Sequence, residues 1–167
     1  MDTARLNAEG FEPVKAELER VAQITDVKGI AELMGEDLYN SFFQVYVDAD
    51  IMDAKRNLMQ TYQAGIGMGE RDYYFESDDK MIEIQGEYLN HIQKMFTLAG
   101  FSVVEASEAS QAVMMIERQL ALAHFSQVKL RDSQANYHLY TVDSLKASFP
   151  GFCWDTYFAT LGCPELK

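Results

Sequence analysis

Residues 60–75 read QTYQAGIGMGERDYYF and separate two parts of the chain that differ in character. Three glycines, Gly65, Gly67 and Gly69, fall within five residues, and an Arg-Asp-Tyr-Tyr cluster follows them at 71–74. Glycines at this density mark backbone positions that need a positive φ or the close approach of another segment. We therefore predict a structural loop around which the rest of the chain is organised.

The alternative for this loop is a phosphate-binding site, because glycines after a strand-like run are typical of such sites. The spacing, however, is G-x-G-x-G, and no helix is predicted directly after it to direct an N-terminus at an anion. Glu70 and Asp72 would add negative charge at the same place. The structural interpretation is therefore favoured.

The first forty residues predict two or three short helices. Residues 2–9 hold one or two helical turns, and Pro13 opens a helix over 14–24. Asp26 is a candidate N-cap for a helix over 28–38, where apolar residues recur at helical spacing on one face.

A change of period predicts a β-hairpin next. Residues 41–50, SFFQVYVDAD, alternate between apolar and polar and are rich in aromatic and β-branched types. Residues 55–62 repeat the alternation more weakly. A short loop over 50–54 joins the two runs, so we predict an antiparallel pair.

Two long amphipathic helices are predicted after the glycine loop. Ser77 or Asp78 caps the first, which runs to about residue 99, and the second covers about 106–123. Their short connection predicts an antiparallel pair. The side chains expected to face inward are Met81, Ile84, Tyr88, Ile92, Met95 and Leu98 on the first helix, and Ala109, Val113, Ile116, Leu120 and Ala123 on the second.

Two short helices complete the predicted fold. Thr141 caps one over 142–148, and Gly162 closes the other over 154–161. The fold class that follows is mainly α: a multi-helical, bundle-like domain with one small antiparallel β-hairpin. The absence of a linker-like segment predicts a single domain over 1–167.

Composition narrows the class of partner. The 167 residues carry 26 Asp and Glu against 14 Lys and Arg, a formal net charge of −12, which repels phosphate backbones. We therefore expect no nucleic-acid partner. No apolar run approaches the ~20 residues of a membrane span, and no signal peptide is visible. Cys153 and Cys163 lack C-x-x-C spacing, and two free thiols are favoured over a bridge.

No catalytic residue and no metal ligand is predicted in the chain. His91, His124 and His138 form no H-E-x-x-H pair, and no motif of a nucleophile with its base is present. The acidic run over 48–53 resembles the start of a calcium loop, but Met59 stands where such a loop needs its bidentate glutamate. No cofactor is expected in this chain.

The order of motifs resembles the helical N-terminal region of the neprilysin-type zinc metallopeptidases, the family of neprilysin, endothelin-converting enzyme and the bacterial oligopeptidase O. Residues 65–75, GIGMGERDYYF, are similar to the family's G-L-G-L-P-x-R-D-Y-Y. Four further segments follow the family's order: Met1-Asp2 with Arg5, the strand pair over 42–63, EYLNHIQKMFTLAG at 87–100, and LRDSQANYHLYTVDSLKASFPGFCWDTYF at 130–158. The departures are Gly69 for a proline, Ser133 for a proline and His138 for an asparagine.

The resemblance implies an internal piece of a zinc metalloendopeptidase. In the family the H-E-x-x-H segment and its zinc lie downstream in a separate catalytic domain, which would be this region's partner. The resemblance then implies a non-catalytic lid over a chamber that admits peptide substrates. It also implies a periplasmic, extracellular or cell-surface location. The alternative from a different class is a free-standing helical protein-binding module.

The resemblance also implies roles for the residues at 71–74 of this chain. Arg71 and Asp72 would tie the glycine loop to neighbouring helices, and Tyr73 and Tyr74 would pack with a polar tip. The possible chamber-facing motif is Gly65, Gly67, Gly69, Arg71, Asp72, Tyr73 and Tyr74.

Overall fold

The computed structural model of the chain describes residues 2–36 and 42–167. Within these residues, eight α-helices, one 3₁₀ turn and a two-stranded antiparallel sheet confirm the mainly α fold with a small hairpin. The elements in chain order are α1 (Thr3–Glu9), α2 (Glu12–Ala22), α3 (Val27–Met34), β1 (Phe43–Asp50), β2 (Asp53–Gln63), the 3₁₀ turn (Arg71–Tyr74), α4 (Asp79–Leu98), α5 (Val103–Ala123), α6 (Gln127–Leu130), α7 (Val142–Ser148) and α8 (Trp154–Thr160).

Helices α1 and α3 begin at the side-chain caps Asp2 and Asp26, whereas α2 begins without one. The Asp26 carboxylate accepts a hydrogen bond from the Gly29 amide at 2.8 Å, which confirms the predicted N-cap of α3. Helix α3 ends at Met34, and Gly35 is its C-cap. The predicted continuation of the helix is therefore wrong for residues 35 and 36, where the chain turns. Residues 37 and 38, the predicted strand start at residue 41 and the Met1 of the first motif lie outside the described residues.

The hairpin is tighter than predicted. Strands β1 and β2 pair in antiparallel register from Phe43 opposite Gln63 to Ala49 opposite Asn57, and β2 already begins at Asp53. The expected loop over 50–54 is therefore wrong, because only two residues turn the chain. Asp50 holds this turn: its carboxylate accepts a hydrogen bond from the Met52 amide at 2.8 Å.

Asp50 is also the anchor between the hairpin and a distant segment. Its side chain is 1% exposed and receives Arg56 Nε at 2.7 Å and the Tyr137 hydroxyl at 3.2 Å on one carboxylate oxygen. The Met52 amide above all, followed by Arg56 and Tyr137, holds the pKa of Asp50 below its usual value. The acidic run that resembled a calcium loop thus supplies an internal ion pair.

One core lies where the base of the hairpin meets α3 and α8. Met34, Tyr157 and Phe158 are buried there, and Phe43 packs edge-on against Tyr157 with ring centroids 5.5 Å apart. A Cβ on Gly35 would lie only 2.7 Å from Thr160 Cβ, so the two helices approach closely at this glycine. Cys153 and Cys163 are free thiols at the edge of this region.

The second packing unit is the pair α4 and α5. Ser102, which was not predicted as a cap, forms a capping box with Glu105 and starts α5 three residues earlier than expected. Gly100, with φ 94°, follows α4 as predicted. The Asp78 carboxylate caps α4 through the amides of Lys80 and Met81.

Part of the predicted inward faces is wrong. Met95 and Leu98 on α4 are 53% and 62% exposed, and Ile116 on α5 is 48% exposed; Ala123 is exposed as well. The spacing of apolar residues predicts one continuous inward face on each helix. In the structure, only a narrower part of that face is covered by the neighbouring helix. The fully buried residues of α5 are small ones, Ala106, Ser110 and Ala121, which allow close approach.

Helix α7 agrees with its prediction and α8 ends one residue earlier than predicted, whereas the short helix α6 was not predicted. The Thr141 hydroxyl accepts a hydrogen bond from the Ser144 amide at 3.2 Å and caps α7. Gly162, with φ 81°, follows the end of α8. Among the described residues, no helix combines the length and the apolar character that crossing a membrane requires.

Candidate functional site

The glycine loop connects β2 to the 3₁₀ turn, and its glycines are needed for two different reasons. Gly65 and Gly69 have φ of 87° and 88°, a region that favours glycine. Gly67 does not have a positive φ. A Cβ on it would instead lie 1.9 Å from the Tyr88 hydroxyl oxygen of α4, so the loop backbone and α4 meet here in direct contact.

The buried Tyr74 side chain holds the glycine loop in place. Its hydroxyl accepts a hydrogen bond from the Met68 amide at 3.1 Å. The same hydroxyl donates to Glu117 Oε2 of α5 at 2.6 Å. The other oxygen of Glu117 accepts a hydrogen bond from the Tyr88 hydroxyl at 2.9 Å. One carboxylate thus joins the loop, the 3₁₀ turn and both long helices.

Burial and the Glu117 carboxylate keep both tyrosines protonated. Burial is the larger cause, and hydrogen bonding to Glu117 adds to it, raising the pKa of Tyr74 and of Tyr88 well above the usual value. A proton held this firmly is unsuited to acid–base exchange near neutral pH. The network is therefore suited to positioning the loop rather than to proton transfer.

Arg71 ties the 3₁₀ turn to α5. Its Nε donates to the Ala121 carbonyl at 3.3 Å, and its guanidinium lies 5.5 Å from the centre of the Phe75 ring. The Asp72 carboxylate accepts a hydrogen bond from Arg71 at 3.1 Å. Asp72 therefore binds its neighbour in the chain rather than a residue of a long helix. The expected tie through Arg71 is thus seen in the structure, and Asp72 takes part only through Arg71.

Two helix residues that were not predicted also bind the backbone around the 3₁₀ turn. Arg118 donates to the Tyr74 carbonyl through Nε at 3.2 Å and Nη2 at 3.1 Å. Gln85 donates through Nε2 to the Tyr73 carbonyl at 2.8 Å and to the Glu76 carbonyl at 3.0 Å. These side chains satisfy carbonyl groups that the irregular backbone after the loop leaves without helix partners.

Glu117 was missed as well, although a signal for it exists. It lies four residues after Val113 and three before Leu120, and so falls on the predicted inward face of the helix. A carboxylate on an apolar face requires a partner. The tyrosines of the motif at 71–74 are suitable donors.

The start of the loop is fastened to the end of α5. Gln63 exchanges two hydrogen bonds with the Phe125 backbone: its Nε2 donates to the carbonyl at 3.1 Å, and its Oε1 accepts from the amide at 2.7 Å. The Nε2 of buried His124 donates to the Ala64 carbonyl at 3.1 Å. The Nδ1 of His124 is buried and has no partner among the described residues.

An open cleft of about 570 Å³ lies beside the loop, between the loop and α4. The 3₁₀ turn contributes one wall, and no basic side chain lines the cleft. The lining residues are Met68, Tyr73, Glu83, Ile84, Glu87 and Tyr88.

The described residues provide no zinc site. No group of three or more His, Cys, Asp or Glu side chains among residues 2–36 and 42–167 is placed to hold a metal ion. The zinc that the family resemblance implies therefore has no fitting ligands in the described part of this chain.

Comparison with known proteins identifies the family. The N-terminal model of peptidase family M13 matches residues 1–166. Endothelin-converting enzyme 1 of Cavia porcellus and of Homo sapiens are each 32% identical over 124 residues, which is 74% of this chain and 16% of theirs. The structure of the Mycobacterium tuberculosis zinc metalloprotease Zmp1 in complex with an inhibitor superposes with a TM-score of 0.90 at 29% identity, over 98% of this chain and 25% of that one.

The chain spans 16% of the length of the curated relatives and 25% of the length of the solved one. The likeness nevertheless extends along almost all of this chain, in sequence as well as in fold. The chain therefore belongs to peptidase family M13, and it corresponds to part of the N-terminal region of that family.

Proposed function

We propose that this chain is a non-catalytic part of a zinc metalloendopeptidase, in which it forms a portion of the lid over a peptide-binding chamber. The observation that carries the proposal is the match of residues 1–166 to the N-terminal region of peptidase family M13. The fold likeness to a zinc metalloprotease over 98% of the chain supports it. In this proposal residues 1–167 are a single helical domain of that larger enzyme.

The rigidity of the glycine loop supports a wall-forming role. Selection of substrates by size requires surfaces that keep their position, since a flexible wall would admit larger substrates. Tyr74 and Arg71 bind the loop region to α5 through Glu117 and Ala121, and Tyr88 of α4 binds the same Glu117. Being fully buried, Tyr74 supports the wall from behind. Gly67 and Gly69 are exposed, whereas Gly65, Arg71, Asp72 and Tyr73 are half-buried.

The proposed partners follow from the same role. The catalytic domain of the same enzyme would hold the zinc ion and cleave the peptide. The large exposed apolar side chains of this chain, Leu98, Val103 and Val104 among them, are candidates for the surface that meets the catalytic domain. A periplasmic, extracellular or cell-surface location is proposed from the family resemblance.

The test uses the full-length protein encoded by the gene that carries this sequence. One cleavable sequence is presented in two forms, as a free short peptide and within a loop of a small folded protein. We expect the full-length protein to cleave the free peptide and to leave the folded one intact. A zinc chelator should abolish cleavage, and residues 1–167 alone should be inactive with added zinc.

Each outcome bears on one part of the proposal. Equal cleavage of both substrates would contradict the chamber role, and zinc-dependent turnover by residues 1–167 alone would contradict the non-catalytic role. A full-length protein without peptidase activity would favour the alternative, a free-standing helical protein-binding module.

A further inference from the structure

We infer that the cleft between the glycine loop and α4 binds a lysine or arginine side chain of a peptide. The cleft has an apolar, aromatic interior and an acidic rim, a combination that matches a long aliphatic stem ending in a positive charge. The role of this cleft as a substrate subsite rests on the proposed function, whereas its binding of a cationic side chain does not.

The walls of the cleft are suited to the stem of such a side chain. Met68 from the loop, Tyr73 from the 3₁₀ turn and Ile84 and Tyr88 from α4 are all half-buried, so each presents part of its surface to the cleft. Lysine and arginine bury their methylene groups along surfaces of this kind while the charged end stays near water. The tyrosine rings add attraction for a cation above their faces.

The Tyr88 ring is held in a fixed position at this wall. Its hydroxyl donates to Glu117 Oε1 at 2.9 Å, and Gly67 lies against the same hydroxyl. The Tyr73 carbonyl is bound by Gln85 Nε2 at 2.8 Å. The cleft is therefore formed before any ligand arrives, which lowers the entropy that binding must remove.

The rim carries negative charge that the described residues leave uncompensated. Glu83 and Glu87 lie four residues apart on α4, so both carboxylates are on the same face of the helix. Like charges at this spacing destabilise a helix. Neither carboxylate forms an ion pair with a described residue, although Lys80 and Lys94 are on the same helix.

The N-terminal helices show the contrast. Among residues 2–36, five of the six glutamates are paired with lysine or arginine, and the exposed Glu19 is the exception. The paired acids are Glu9, Glu12, Glu17, Glu32 and Glu36. The pair on α4 differs because it borders a cleft, and a cation from outside would neutralise it.

A side chain fits this cleft better than a metal ion does. Two carboxylates without a further oxygen, nitrogen or sulfur ligand make a poor divalent-metal site, and a hydrated metal ion would leave the aromatic wall without a partner. A lysine or arginine side chain contacts the wall and the rim at once.

The test is an NMR titration of ¹⁵N-labelled chain with the tripeptide acetyl-Gly-Lys-Gly-amide. A matched peptide with norleucine in place of lysine keeps the aliphatic stem and removes the charge. We expect saturable shifts of the Met68, Tyr73 and 83–88 amides with the lysine peptide and at least about fivefold weaker binding of the norleucine peptide, as the loss of two charge interactions and a cation–π contact predicts.

The variant E83Q/E87Q should weaken lysine-peptide binding by about fivefold to tenfold, because it removes both exposed charge interactions with the lysine side chain. The control E108Q/E165Q removes the same net charge at exposed positions that do not line the cleft and should bind like the original chain. Amide dispersion verifies that both variants are folded.

Three results would overturn the inference: equal binding of the two peptides, equal binding by E83Q/E87Q and the control, or no saturable shift at the cleft. None of these measurements depends on peptidase activity. A failed titration thus leaves the proposed chamber role standing, and an inactive full-length protein leaves the cationic site standing.

Discussion

Gly67 and Tyr88 are in such close contact that a Cβ on the glycine would lie 1.9 Å from the tyrosine hydroxyl oxygen. The contact joins the irregular glycine loop to the middle of a 20-residue helix, α4. The loop position is therefore set by side chains on α4 and α5 as much as by its own backbone.

Replacing Gly67 with alanine should destabilise the protein by about 1–3 kcal/mol, the usual cost of forcing extra atoms into a packed site. Urea unfolding monitored by circular dichroism measures this loss of stability. The control is G86A, because Gly86 lies within α4 with no atom within 4 Å of its added Cβ. That change should stabilise the helix by about 0.5–1 kcal/mol.

The double variant G67A/Y88F checks the cause of this effect. Removing the Tyr88 hydroxyl takes away the atom that the new Cβ meets first. The free-energy losses of G67A and Y88F should therefore add to more than the loss in the double variant. Strict additivity would show that the strain lies elsewhere.

Replacing Tyr74 with phenylalanine should cost about 1–3 kcal/mol, since the Met68 amide and one oxygen of Glu117 lose their partner in a buried place. The matched control is Y73F, because the structure gives the Tyr73 hydroxyl no hydrogen bond; that change should stay within about 0.5 kcal/mol. Amide exchange at Met68 should quicken in Y74F only. Equal stability of the two variants would argue against the network.

Alkaline pH should weaken the fold through Tyr74 and Tyr88. Their folded-state pKa values are raised, so the folded chain keeps protons that the unfolded chain releases from about pH 10 upward. The contribution is complete below about pH 10 and is lost as pH rises beyond it. Urea midpoints between pH 8 and pH 11 measure the slope, which should be shallower in Y74F and in Y88F than in the original chain. An unchanged slope in both variants would contradict this assignment.

Replacing Asp50 with asparagine should lower the thermal midpoint, because Arg56 and Tyr137 lose the carboxylate that joins them. The lowered pKa of Asp50 means that its contribution is present above about pH 4, the unfolded pKa, and is lost as pH falls through the folded value. The control is D48N, since Asp48 is exposed and, among the described residues, its carboxylate accepts a hydrogen bond only from the Ala49 amide. A midpoint for D50N no lower than that of D48N would be contrary to expectation.

The sequence predicted much of what depends on neighbours along the chain, although the local capping box of Ser102 and Glu105 was missed. Caps at Asp26, Asp78 and Thr141 were identified because each side chain bonds to an amide two or three residues ahead. The glycine loop was located for the same reason, since positive φ at Gly65 and Gly69 is a local property.

What depends on distant partners was not predicted. Glu117 and Arg118 act on Tyr74, more than forty residues earlier, and no local spacing encodes that distance. Likewise, Met95 and Leu98 have the spacing of an apolar helix face but are exposed in the structure. Which part of that face is buried depends on the position of the partner helix. Asp50 was interpreted as a loop acid because its ion pair and its bond to Tyr137 are tertiary.

The small residues on the buried side of α5 restrict how this helix can evolve. Ala106, Ser110 and Ala121 are each at most 1% exposed, so a bulkier residue there would push α5 away from its neighbours and move Glu117 with it. Met115 and Leu122 on the outer side are largely exposed and have no comparable constraint. Among natural relatives, variation on this helix should therefore be concentrated on its outer side, while the buried side alternates only among glycine, alanine and serine.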